Sequence, residues 1–227
     1  MSQTGRTEEL IRRLAADLQP VKRLSPPLLR AAAWLGLVVL AAAVLFCFYG
    51  LDELAGRLAE GTAMQLAMAG SIITATLAAI AAFQLSLPDR SSLWALLPLP
   101  GVGLWLGSSG LGCFRLWLVP HLAAPSVAAE SQCFLFIIAL SLPLSTIMLL
   151  MLRRARPLRP GLVAGTGGLA AAAAAAALLW FFHPFDASVT DIAGHVVVVL
   201  GVIGLNRAVG GRLLDSAGRI GIGGRAT

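Results

Sequence analysis

Charge is scarce in this chain. Only 12% of its 227 residues are Asp, Glu, Lys or Arg, against 58% hydrophobic residues and a mean hydropathy of +0.84. A water-soluble domain carries about a quarter of its residues as charges, so this chain cannot cover a water-facing surface. Most of it must be solvated by lipid. Cysteine and histidine are scarcer still, at three each. No CxxC or HExxH spacing gathers them, so no metal signature is present. P-loop, nucleophile-elbow and dinucleotide fingerprints are missing too, and the chain reads as a non-enzyme without a cofactor. The first 28 residues hold no short apolar core followed by a small-residue cleavage site. No signal peptide is expected, and the N-terminus should stay in the cytoplasm.

What the chain does have is long apolar runs. A hydrocarbon core about 30 Å thick takes about 20 helical residues to cross. Six runs qualify, at roughly 30–50, 63–86, 93–112, 133–152, 162–182 and 189–209. The expected fold is therefore an all-α, polytopic membrane protein of six transmembrane helices. Pro98 and Pro100 fall inside the third run, in "LLPLPGVG", and Pro143 falls inside the fourth; each should kink its helix, a distortion that neighbouring helices tolerate within a membrane. The fifth run contains "GTGGLAAAAAAAALL", small residues that let helix backbones approach closely.

The basic residues orient these runs. With the N-terminus inside, the inner segments hold Arg6, Arg12, Arg13, Lys22, Arg23, Arg30, Arg90, Arg153, Arg154, Arg156, Arg159, Arg207, Arg212, Arg219 and Arg225, which is fifteen of seventeen. Only Arg57 and Arg115 remain outside. The positive-inside rule then holds at every loop and puts both termini in the cytoplasm. It also removes the nucleic-acid reading of the +6 net charge, because these residues line membrane edges and meet lipid headgroups.

In this topology every cysteine and histidine falls in the outer half. Cys47 is near the outer end of the first run, Cys113 closes the third, and Cys133 opens the fourth; His121 lies between them, His183 begins the last outer loop, and His195 sits inside the sixth run. In a bacterial inner-membrane protein that side is the periplasm, where disulfides persist. Cys113 and Cys133 flank a loop of nineteen residues, and closing it is worth about 3 kcal/mol by chain entropy. Thiols with imidazoles (Cys133, Cys113, His121, His183) also suit zinc or copper, though no metal spacing supports a confident site. Cys47 reads as packing and His195 as a packing or hydrogen-bonding residue. Asp191 and His195, four apart, form the one close ionisable pair within a run.

The segment "TEELIRRLAADLQPVKRLSPPLL" precedes the first run. Thr7 is placed to cap a helix with Glu8 and Glu9 in its first turn. Leu10, Ile11, Leu14 and Leu18 form an apolar stripe at helical spacing, and Pro20 ends it. So short a helix is not stable alone, and its stripe must find lipid, the protein's own loops or a partner's groove.

Taken in order, "LIRRLAADLQPVKRLSPP", "SQCFLFIIALSLPLS", "RRARPLRPGLVAG" and "FHPFDASVTDIAGHVVVVLG" resemble the NrsF-type family of six-span membrane anti-sigma factors over nearly the whole chain. The resemblance implies a cytoplasmic segment, residues 1–28, that holds an extracytoplasmic-function sigma factor away from RNA polymerase. Leu10, Ile11, Leu14 and Leu18 would be its apolar anchors, with Arg12, Arg13 and Asp17 as the polar rim and Pro20, Val21 and Leu24 completing the contact. A six-helix domain follows at 29–209, and then a cytoplasmic tail at 210–227. The family also implies release when a periplasmic oxidant or heavy metal acts on two cysteines. Cys133 in "QCFLFI" matches the first; the second normally follows a histidine in the last outer loop, where this chain has His183-Pro184. Cys113 is the other thiol placed to take part. The rival readings are a small transporter or channel and a structural membrane subunit.

Overall fold

The computed structural model describes residues 3–16, 23–50, 55–56, 61–118, 127–179 and 189–214. Its elements are all helical: α1 (Gln3–Ala16), α2 (Pro27–Tyr49), α3 (Thr62–Leu85), a 3-10 turn (Ser92–Leu96), α4 (Leu99–Leu118), α5 (Val127–Arg153), α6 (Pro160–Leu179) and α7 (Val189–Leu205). α7 runs on through a π-helical turn, Asn206–Gly210, and stays helical to residue 214. Five helical stretches among the described residues are long and apolar enough to cross a membrane: Pro27–Phe48, Thr62–Leu85, Leu135–Arg153, Pro160–Leu179 and Gly194–Leu214.

The small residues of α6 put it at the centre. α6 packs against α3, α5 and α7, and Ala170 to Ala177 are all buried. A Cβ on Gly167 would stand 3.0 Å from Met148 Cγ, and one on Gly168 only 2.8 Å from Asn206 Cβ. The close approach predicted from composition is thus achieved, with glycine where α5 and α7 come nearest. α2, by contrast, is peripheral. Pro27 starts it at a position where the missing N–H has no helical partner to lose, and only Arg30, Ala31 and Trp34 of its inward stripe are buried. Leu37, Val39, Leu40, Val44 and Phe48 face outward, as a lipid-facing helix requires.

The third run departs from expectation. Residues 93–112 do not form one kinked helix: the chain makes the 3-10 turn first, and α4 begins only at Leu99. The two prolines explain the break. Neither has an N–H to donate to the preceding turn; Pro98, fully buried, follows the 3-10 turn, whereas Pro100 occupies the first turn of α4, where proline is tolerated. α4 therefore starts deep in the bundle. Gly101 approaches Thr74 and Gly70 approaches Trp105, an antiparallel register that sets the first turn of α4 level with Thr74. That level is about 16 Å along α3 from Leu85 at 1.5 Å per residue. In the same register Cys113 comes level with the start of α3, and α4 runs five residues further, to Leu118. α4 has 20 residues, but its five glycines, two serines and Arg115 keep it from the apolar level of the other five.

Candidate regulatory site

α1 starts four residues before Thr7, at Gln3, so the expected cap at Thr7 is not where the helix begins. Glu8 and Glu9 consequently miss the first turn. Glu9 works through its side chain instead, accepting from Arg13 Nε at 2.9 Å and from Arg12 Nη1 at 3.4 Å, pairs at the i+4 and i+3 positions that support an exposed helix. The apolar stripe is present and uncovered: Leu10, Ile11 and Leu14 are 57%, 60% and 62% exposed. None of the extended interfaces between described elements involves α1. Leu24, in the extended stretch before α2, is also exposed. Asp17, Leu18, Pro20 and Val21 lie outside the described residues.

That stretch leads directly to Arg30. Buried in the first turn of α2, Arg30 donates from Nη2 to the carbonyl of Met151 and from Nη1 to Ser86 Oγ at 3.4 Å, and its guanidinium lies 4.8 Å from the Phe83 ring centroid. Met151 is in the last turn of α5, and Ser86 caps the C-terminus of α3. Both helices end in carbonyls without helical partners and carry the negative pole of the backbone dipoles. One buried cation therefore joins two helix C-termini to the N-terminus of a third. One turn later, Trp34 Nε1 donates to Leu144 O at 3.1 Å, so α2 is fastened to α5 at two levels. In the sequence Arg30 is a topology charge at the first residue of an apolar run, a position that signals a structural role.

Further polar contacts lie where α5, α6 and α7 meet. Asn206 Nδ2 donates to Ser145 Oγ at 3.0 Å and to Val202 O at 2.9 Å, inside the π-helical turn. Most other buried hydroxyls bond to their own helix, as Thr74 does to Gly70 O at 2.7 Å and Ser108 to Leu104 O at 2.7 Å.

At the opposite end of the bundle Cys47 is exposed on α2. Cys113 and Cys133 are placed in α4 and α5 by their backbones, with side chains outside the described residues, as are His121 and His183 altogether. α4 packs on α3 and α7, whereas α5 packs on α2, α6 and α7. Ile137, one turn after Cys133, is fully buried in a cluster with Ala175 and Leu179 of α6. His195 is half-buried in α7.

Apolar helices packed through small residues, five of them long enough to cross a membrane, define an all-helical membrane protein. Within that class the chain belongs to the NrsF family, described as negative regulator of sigma F, whose family model matches residues 14–215. No curated protein and no solved structure matches it. The family match begins at Leu14, which makes Leu14 the exposed apolar residue of α1 that falls within it.

Proposed function

We propose that the chain is an anti-sigma factor that holds an extracytoplasmic-function sigma factor at the bacterial inner membrane through residues 10–24 and frees it on a periplasmic oxidative or heavy-metal signal. The observation that carries this reading is the uncovered stripe of Leu10, Ile11 and Leu14 on an arm that precedes the bundle of a sigma-regulator family member. An amphipathic helix lays such a face into a partner's groove. Both termini are cytoplasmic in this reading, and α4 with its preceding turn makes the sixth crossing. The contacts of Arg30 with the ends of α3 and α5 support it, as do the close approaches between Gly161 and Gly211. They gather these helix ends, with their arginines, at one end of the bundle.

For the signal, the cluster of Ile137 with Leu179 favours His183 as the neighbour of Cys133. Cys133 stands one helical turn before Ile137, and His183 follows Leu179 by four residues of sequence. Cys113 is on α4, whose extended interfaces are with α3 and α7. The buried hydroxyls bonded to their own helices offer little to a solute path, which favours a regulator over a small transporter or channel.

Leu14→Asp tests the central claim. The full chain, purified with its sigma factor from co-expression, should lose that partner, and the sigma-dependent promoter should become constitutively active. Undiminished co-purification by the variant would overturn the assignment of α1 as the binding arm.

A further inference from the structure

We propose that the end of the bundle where α5 turns into α6 is a binding site for the phosphate of an anionic phospholipid headgroup. Arg153, Arg154, Arg156 and Arg159 fall within seven residues of chain and are all exposed. The turn is tight: Ala155 N–H donates to Leu152 O at 3.0 Å, and Arg156 takes a positive φ of 47°, so the four guanidinium groups are confined to one small area. A fifth arrives from α7. A Cβ on Gly165 would stand 3.8 Å from Arg207 Cβ, and one on Gly161 would stand 3.9 Å from Arg207 Nε. The Arg207 stem thus runs along the first turns of α6 toward its N-terminus and brings its Nε beside Gly161, two residues after Arg159.

These charges stand outside the ion pairs found among the described residues. Among the described residues, ion pairs join Arg12 and Arg13 to Glu9 and Arg90 to Asp89; Arg153, Arg154, Arg156, Arg159 and Arg207 take part in none of them. Arg154 also acts electrostatically on the buried Arg30, which adds like charge behind the patch. Within the patch Leu158 is 76% exposed, an apolar side chain between Arg156 and Arg159 with no protein cover. Five cations outside any ion pair among the described residues, around one projecting leucine, match an acidic headgroup above an acyl chain. Basic pockets between transmembrane helices take such headgroups, and the planar guanidinium fork suits a phosphate. The positive-inside rule accounts for arginine on this side of the membrane, but not for a fifth arginine laid along α6 toward the other four.

The full chain in nanodiscs of mixed phosphatidylglycerol and phosphatidylcholine tests the site, with retained lipid read by native mass spectrometry. Retention should favour phosphatidylglycerol by about tenfold, and the preference should be lost in Arg159→Gln/Arg207→Gln, since each basic residue at an anionic surface is worth about fivefold. Arg90→Gln should leave the preference unchanged. If the double variant fails to fold, Arg159→Glu alone, on an exposed side chain, should show the same loss. Equal retention of the two lipids would overturn the proposal, as would a preference that survives these variants. Displacement of the lipid by inorganic phosphate would also overturn it, since the site would then take its phosphate from solution.

Discussion

The position that ties the most elements together is Arg30. Its side chain is buried, and it is spared the cost of an unpaired buried charge by the Met151 carbonyl, Ser86 Oγ and the Phe83 ring. A hydrogen bond to a charged group contributes about 1.5–3 kcal/mol, and a shielded cation–π contact up to about 2. Arg30→Ala should therefore lower unfolding stability in mixed micelles by about 2–4 kcal/mol. Arg30→Lys should recover only part of this, because a single ammonium cannot span Ser86 and Met151 as the guanidinium fork does. A wild-type midpoint for Arg30→Ala would show that the α2 N-terminus is held by apolar packing alone. The sequence showed a charge just inside an apolar run and nothing more, because which helix ends converge on it depends on partners 56 and 121 residues away.

At the scale of the helices, apolar length was readable and interruptions were not. Runs of about 20 apolar residues predicted α2, α3, α5, α6 and α7 to within a few residues, since crossing length is set by hydrocarbon thickness. α4 escaped because two prolines two residues apart do not kink a helix but delay its start, and the turn that replaces it is stabilised by packing of Trp94 and Ala95 on the core, a tertiary effect. The offset is sustained by glycine. A Cβ on Gly70 would lie 2.6 Å from the backbone nitrogen of Trp105, whereas one on Gly103 meets nothing within 4 Å. Gly70→Ala has to push two backbones apart and should cost about 1–3 kcal/mol. Gly103→Ala should be neutral or stabilising by up to about 1 kcal/mol, through helix propensity alone. The pair, compared by unfolding in mixed micelles, checks the α3–α4 register; equal effects would contradict it. The stripe on α1 was legible for the opposite reason, since helical spacing of leucines is a local property and needs no tertiary partner to be seen.

For the molecule as a whole, the two ends of the bundle are joined by α5. Cys133 lies 18 residues before Met151, about 27 Å along one helix, and Met151 is where Arg30 holds the start of α2, directly after the extended stretch at residues 23–26. In the proposed mechanism, a change at Cys133 that displaces α5 would reach the start of α2 through the Arg30–Met151 contact. To turn a bound population of 99:1 into 1:99 the signal must favour the releasing state by about 5.5 kcal/mol, within reach of a new covalent or metal bridge at the far end together with the loss of the Arg30 contacts. In cells, Cys133→Ser should keep the sigma factor sequestered without stress and abolish induction by oxidant or heavy metal. Cys47→Ser, at an exposed position on a peripheral helix, should leave induction intact. Reporter expression from the sigma-dependent promoter separates the outcomes. Normal induction in Cys133→Ser would make that thiol a packing residue and move the search for the sensor to His183 and Cys113, while constitutive expression would show that the thiol is needed to hold α5 in its binding position before any signal arrives.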